Sequence, residues 1–472
     1  MSDDSSSRIA STLREWISTA PAGAKLPSSR ELVARYSASP VTVQKALRSL
    51  SSQGLVESLP GVGTFVRAAP ATGSGDYGWQ TAALGTPGHG LLTQPASLQP
   101  ASTNSVALHS GYPDPELLPE RLVRSAFSRA ARTAALVGRP PTAGVPELQA
   151  WFAAELRAMT SAGMAPVTPR DVVITPGSQS GLVTAFRALV GPGQPLLLES
   201  PTYWGAILAA KKAGVAVVPV PSGPNGPDPD ELARTFEQTG ARAFYAQPSF
   251  ASPTGALWPP DLADRVLDTV RQHGAFLIED DSAHDFGITA EPQLLAGRDD
   301  DGHVVYLRSL TKSVSPAIRV AALIARGPAR DRILVDTLAE SMYVSTVLQT
   351  VALDIVTQPA WRTHLRRVRH QLKTRRDLLL SGLREHAPAV QVESVPQGGL
   401  NLWARLPGTV DLARVVRDCE TAGVVIGSGD EWFPAEPTGR FIRLNYAGPN
   451  PGAFADAARV IQEAVMANVE SR

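Results

Sequence analysis

Val304-Val305-Tyr306, Ser309-Leu310-Thr311-Lys312, Arg319 and Ala321-Ala322-Leu323-Ile324 follow one another closely. Two apolar runs of strand length enclose a turn that carries a hydroxyl, a lysine and an arginine. A lysine on such a turn can bind a phosphorylated aldehyde as an imine. The hydroxyl of Ser309 and the guanidinium of Arg319 can then take phosphate oxygens. The surrounding sequence repeats the pattern. Apolar strands are expected at 171–174, 195–199, 215–220, 243–245 and 275–278, with helices at 179–190 and 204–213 between them. That alternation predicts an α/β fold with a mostly parallel sheet covered on both faces. Ligands of such sheets sit beyond the carboxyl ends of the strands.

Several residues fall at those ends. Gly177-Ser178-Gln179 opens a helix, where backbone N–H groups and a hydroxyl make a phosphate cup. Tyr203 follows a strand and could stack on a flat ring. Asp280, in Glu279-Asp280-Asp281, ends a very apolar strand, where a carboxylate could pair with a protonated pyridine nitrogen. Arg443, in Arg440-Phe441-Ile442-Arg443-Leu444-Asn445, offers a forked guanidinium suited to a carboxylate.

The first 70 residues read differently. Ile9, Leu13 and Ile17 have helical spacing over 8–18. Ser28 with Glu31 is a capping box for a helix ending near Tyr36. Ser39-Pro40 starts a third helix, with Val43, Ala46, Leu47 and Leu50 inward and Thr42, Gln44, Lys45 and Arg48 outward, stopped at Gly54. Residues 55–66 read as a hairpin around Pro60-Gly61-Val62-Gly63. Three helices and a two-stranded wing predict a winged helix-turn-helix, its third helix in a DNA major groove. Arg30 would reach a guanine edge or a phosphate, and Ser28 and Thr42 would bond phosphates. Gln44, Lys45 and Arg48 lie on the reading face, and Gly63 and Thr64 at the wing tip. Eight Lys/Arg against five Asp/Glu over 1–70 is only a small basic excess.

Whole-chain numbers set the bounds. A length of 472 residues suggests two or three domains, and 43% hydrophobic content allows a sizeable core. The formal net charge is zero, so DNA contact needs a local surface. One cysteine, Cys419, permits no disulfide within the chain. An acidic start and the absence of a long apolar run lead to the expectation of a cytoplasmic protein without a membrane partner. No metal site is expected. Residues 69–104 lack periodicity and read as a flexible linker in which Tyr77 and Trp79 could dock. The run from Arg362 to Arg376 reads as a basic helix, either a solvated face or a secondary patch for DNA phosphates.

The N-terminal string from Leu26-Pro27-Ser28-Ser29-Arg30 to Gly61-Val62-Gly63-Thr64-Phe65-Val66 resembles the GntR family of regulators. Residues 105–470 resemble fold type I pyridoxal-phosphate aminotransferases. Besides the residues above, Gly111-Tyr112-Pro113-Asp114-Pro115, Ser252-Pro253-Thr254-Gly255 and Gly398-Gly399-Leu400-Asn401-Leu402-Trp403 carry that likeness. Together the two halves resemble the MocR subfamily of GntR-type regulators. The resemblance implies a winged helix-turn-helix at 6–68, the linker at 69–104, a large domain at 105–330 and a smaller α+β domain at 331–472.

It further implies pyridoxal 5'-phosphate as cofactor, with Lys312 as its Schiff-base lysine and Asp280 as the ring-nitrogen partner. Tyr203 would stack on the ring. Ser178, Gln179, Ser309 and Arg319 would hold phosphate, and Arg443 the effector carboxylate. Implied partners are a double-stranded DNA operator, a small amino-group effector and a second copy in a head-to-tail homodimer. Ser252 and Ser282 occupy cofactor-binding positions where the family often has asparagine and tyrosine, which donate to the cofactor's phenolic oxygen. Transamination is therefore expected to be weak at most, and a regulator sensing the cofactor or an amine is expected. The alternatives are an active aminotransferase carrying a DNA-binding domain and a regulator answering to the cofactor alone.

Overall fold

Ser28 Oγ accepts the backbone N–H of Glu31, and the Glu31 carboxylate accepts the N–H of Ser28 at 2.7 Å. This reciprocal pair starts the second of three N-terminal helices, Ser5–Thr19, Ser29–Tyr36 and Pro40–Ser52. The third begins at Ser39, whose side chain accepts the N–H of Thr42, with Pro40 in the first turn. Gly54 follows it at φ +69°, a conformation that stops a helix cheaply only at glycine. Strands β1 (Val56–Leu59) and β2 (Gly63–Val66) then form an antiparallel wing. Ile9, Leu13, Leu32, Val43, Ala46 and Leu50 are buried together. The expected winged helix-turn-helix is present, its first helix longer at both ends than the apolar spacing marked.

The computed structural model describes residues 5–67, 79–80, 83, 95–102 and 105–469. The chain divides into two units, Met1–Leu91 and Leu92–Arg472. Most of the expected linker, Tyr77 included, lies outside the described residues. Trp79 is exposed. Residues 95–102 do not behave as linker. Ala96–Leu98 forms a short turn, and the Ala96 N–H donates to Glu431 at 3.1 Å.

The second unit begins with β3 (Val106–Ala107) and continues with β4 (Val172–Thr175), β5 (Pro195–Ser200), β6 (Ala216–Gly223), β7 (Gly226–Pro227), β8 (Ala243–Ala246), β9 (Phe276–Asp281), β10 (Val304–Ser309) and β11 (Ala321–Ile324). Strands β4 to β11 form one sheet in the order β4-β11-β10-β9-β8-β5-β6-β7. Strands β10, β9, β8, β5 and β6 run parallel, β11 runs against both its neighbours, and β7 against β6. Successive side chains of a strand face opposite sides. Leu277 and Tyr306 thus join one core, Ile278 and Leu307 the other. Strands β4, β8, β10 and β11 are buried throughout, on both faces, which is why their sequence reads as largely apolar runs.

Four strands, β12 (Gln391–Val392), β13 (Asn401–Arg405), β15 (Gly427–Ser428) and β16 (Phe441–Asn445), build an antiparallel sheet, while β14 (Val424–Val425) pairs with β3. Their core includes Leu108, Leu379, Leu402, Ile442 and Ile461. The expected boundary at 330/331 falls inside the helix Gly327–Ser341, whose Ala329 and Ile333 pack on the large sheet. The packing changes allegiance within the 28-residue helix Pro359–His386 instead: Trp361 belongs to the large core and Val368 to the small one. A continuous helix shows no break in its sequence, so the division could not be read there.

Candidate functional site

Parallel pairing sets Leu307 of β10 beside Asp280 of β9, so the turn carrying Lys312 leaves the sheet next to the Asp280 carboxylate. One cavity is lined by Tyr112, Ser178, Gln179, Tyr203, Ser282, Ser309, Thr311, Lys312 and Arg319. The Lys312 amine lies 5.7 Å from the centre of the Tyr203 ring. Burial holds this amine below the usual lysine range, against the pull of Asp280, and the charge of Arg443 adds to the lowering. A larger unprotonated fraction makes a better nucleophile.

Asp280 is buried, and burial pushes its carboxyl up to about 6. Oδ2 accepts the Tyr245 hydroxyl at 2.8 Å and the Gln247 side-chain amide at 3.0 Å. Oδ1 has no hydrogen-bond partner among the described residues. A buried carboxylate oxygen left unpaired is costly, and a protonated ring nitrogen would satisfy it.

The anion end is built from the helix Ser178–Leu189. Gly177 caps it at φ +89° without a side-chain hydrogen bond, leaving first-turn N–H groups for a ligand. A Cβ on Gly177 would lie 2.5 Å from the Arg319 guanidinium, so glycine is what lets that arginine cover the helix end. Arg319 Nη1 also reaches Thr311 Oγ1 at 3.4 Å, and Thr311 is itself fixed by donating to the Ile318 carbonyl at 3.0 Å. Ser309 Oγ accepts the Thr311 N–H at 3.2 Å. The Gln179 side chain donates to the Gly205 carbonyl at 2.7 Å and so braces the loop after Tyr203.

Gln247 organises the far wall. Its amide nitrogen donates to Asp280 and, at 3.3 Å, to Ser282, its carbonyl accepts the Ser252 N–H at 2.9 Å, and its backbone N–H donates to Glu199 at 3.0 Å. Ser282 reaches the cavity wall, whereas Ser252 is not among its lining residues. Sequence reading missed Tyr112, Tyr245, Gln247 and Thr311. The available signal was position, since Gln247 follows a strand's carboxyl end and Thr311 lies inside the lysine turn.

Arg443 on β16 is buried, with its Cζ 4.6 Å from the centre of the Trp432 ring. Nη1 donates to Asn401 at 2.7 Å, Nη2 donates to the His109 carbonyl, and Nε has no partner among the described residues. Burial lowers its guanidinium to about 10. An unpaired N–H on a buried arginine fits an incoming carboxylate.

On the first unit, Ser28, Arg30, Gln44, Lys45 and Arg48 are exposed, and Thr42, Gly63 and Thr64 are half-buried. The Thr42 hydroxyl shares a 2.8 Å hydrogen bond with Ser39, and Thr64 one of 3.0 Å with Ser58 across the wing. The basic run on Pro359–His386 divides by burial. Arg375 and Arg376 are buried and donate to the Gly448 and Pro396 carbonyls, while Arg362, Arg366 and Arg367 are exposed. Among the described residues no cluster of His, Cys, Asp and Glu could hold a metal, and no helix is long and apolar enough to cross a membrane. Cys419 is buried, its thiol pushed up to about 12.

A lysine beside an open helix end, an unpaired aspartate oxygen and a buried arginine could take an aldehyde, a protonated ring nitrogen and a carboxylate. The chain belongs to the aminotransferase class I and II family, which matches residues 106–461; residues 5–66 match the bacterial regulatory proteins of the gntR family. It is similar to the probable rhizopine catabolism regulatory protein MocR of Rhizobium meliloti, 26% identical over 94% of this chain and 90% of that one. The HTH-type transcriptional regulator YdfD of Bacillus subtilis is also 26% identical, over 92% and 89%. A 2-aminoadipate transaminase of Thermus thermophilus is 29% identical over 75% of this chain and 88% of its own. The crystal structure of the alpha-aminoadipate aminotransferase LysN from the same species, complexed with N-(5'-phosphopyridoxyl)-L-leucine, superposes with a TM-score of 0.71 at 28% identity, covering 77% of this chain and 93% of that one. The chain is thus a homologue of GntR/MocR-type regulators with a DNA-binding domain and an aminotransferase-like domain of a pyridoxal-phosphate-dependent family.

Proposed function

We propose that this chain is a cytoplasmic transcriptional regulator, a head-to-tail homodimer that changes its hold on an operator when a small amino-bearing carboxylate enters the Lys312 pocket. Pyridoxal phosphate supplies an aldehyde carbon that takes amines and a ring that withdraws electrons. Lys312 would hold it through Nζ, and Asp280 Oδ1 would accept its ring N–H. The first-turn N–H groups, Ser178, Ser309 and Arg319 would take its phosphate, with the Gln179 side chain bracing the loop rather than the anion. Tyr203 would stack on the ring, and Arg443 would receive the effector's carboxylate.

The single observation that carries this reading is the pairing, on one chain, of an exposed Gln44-Lys45-Arg48 face with a cavity lined by Lys312, whose amine feels the charges of the buried Asp280 and Arg443. The retained trio also favours a second reading, a working aminotransferase. Ser282 weighs against it, because a short hydroxyl held by Gln247 stands where a longer donor would serve the ring's oxygen.

The Lys312→Ala variant tests the choice. It should lose the visible absorbance that the wild type gains with pyridoxal phosphate, and the response of its DNA binding to added amino acids should vanish. If DNA binding and its ligand response stay as in the wild type, the pocket is not the sensor. Turnover of an amino donor at an ordinary enzymatic rate, on the order of ten per second, would favour the enzyme.

A further inference from the structure

Residues 95–102 and 105–112 join the C-terminal end of the linker to the ligand pocket. They form a strap bonded to the very strand that carries Arg443. The Asn445 N–H donates to the Leu108 carbonyl at 2.7 Å, and the Asn445 side chain donates to the Tyr112 carbonyl at 2.9 Å. Tyr112 then lines the cavity. Further back, His109 Nε2 lies 2.9 Å from the Gln99 carbonyl, and Ala96 donates to Glu431 at 3.1 Å. Glu431 sits on the turn Asp430–Trp432, whose tryptophan underlies Arg443 and whose Trp432 carbonyl accepts the Thr202 N–H at 2.8 Å, next to Tyr203.

Two features make this strap sensitive to what Arg443 holds. A forked grip on a carboxylate uses two N–H groups of the guanidinium. Among the described residues Nε has no partner, while Nη1 serves Asn401 and Nη2 the His109 carbonyl, each with one of its two N–H groups. A two-point grip through Nε and the second N–H of Nη2 would share that nitrogen with the His109 carbonyl. Glu431 is also close enough for its charge to act on Arg443. A second anion at that guanidinium meets the Glu431 carboxylate in a poorly solvated place, where like charges repel strongly.

We propose that this strap is the transmitter of the sensor. A carboxylate arriving at Arg443 shares Nη2 with the His109 carbonyl, weakening that bond, and displaces Glu431, which loosens the Gln99 and Ala96 contacts that fix the linker's end. His109 and Glu431 are positioning residues in this scheme, and neither lines the cavity. The inference rests on the sensor reading above and adds the route by which the pocket reports outward.

The test uses the full-length protein loaded with pyridoxal phosphate and DNA duplexes selected from a random pool by the wild type. The common L-amino acids and L-2-aminoadipate are titrated, reading absorbance for binding and fluorescence anisotropy for DNA affinity. The ligand is expected to change wild-type DNA affinity by about tenfold. In Glu431→Gln and His109→Leu that response should fall below about threefold while ligand affinity stays within about fivefold of wild type. Glu431→Gln keeps the acceptor for Ala96 and removes only the charge, so it separates repulsion from packing. Variants that bind ligand and keep the full DNA response overturn the transmitter and leave the sensor standing. A wild type whose DNA affinity ignores every amino acid overturns the sensor, and the transmitter with it.

Discussion

Gln247 shows how one side chain can tie a pocket to the sheet beneath it. It holds Asp280, Ser282 and Ser252, and is itself anchored by Glu199, whose other oxygen accepts the Ser222 hydroxyl at 2.9 Å. Burial pushes the Glu199 carboxyl up from 4.5 to about 7. The sign follows from linkage. The folded chain holds this proton more tightly than the unfolded chain, so the stability it contributes is full below the unfolded value and is lost as pH rises through about 7. The size is roughly 3 kcal/mol. Glu199→Gln keeps an acceptor for Gln247 and a group for Ser222 without a titrating proton. Thermal melts of cofactor-free protein between pH 5 and 8 should decline less steeply for this variant than for the wild type. Equal slopes would show that Glu199 does not titrate in that window. Sequence alone marked Asp280 because it ends an apolar strand, but gave no sign of Gln247, since a glutamine after a strand is ordinary until four partners converge on it.

At the scale of elements, the helix Pro40–Ser52 is determined locally: cap, proline and apolar spacing all lie within it, so its faces were legible. Its exposed side carries Gln44, Lys45 and Arg48, the residues proposed to contact DNA. Arg48→Ala should weaken DNA binding alike across sequences and lower the salt slope by about one, as loss of one phosphate contact does. Gln44→Ala should relax base preference at one position, worth about 1–3 kcal/mol. A selection from random duplexes by each variant, repeated at two salt concentrations, separates the roles. An unchanged preference in Gln44→Ala would remove that residue from base contact. The helix Pro359–His386 teaches the opposite lesson. Its basic run suggested one charged face, but tertiary packing buries Arg375 and Arg376 against backbone carbonyls and leaves Arg362, Arg366 and Arg367 outside.

For the whole molecule, division into two units predicts separable damage. Leu32 is fully buried in the first unit, and Leu32→Ala should cost about 3 kcal/mol there. DNA binding should weaken or fail while absorbance with pyridoxal phosphate persists; loss of both would mean that the units fold as one. The sequence by itself determined the architecture of both units and the residues of the lysine turn, because helix caps, strand-length apolar runs and strand-end chemistry are local properties of the chain. Only the tertiary structure decided that the packing changes core within the helix Pro359–His386, that residues 95–102 belong to the second unit, and that Gln247 and Tyr112 stand at the pocket. Each of those depends on contacts between segments tens to hundreds of residues apart, such as Ala96 with Glu431, which no pattern along the chain encodes.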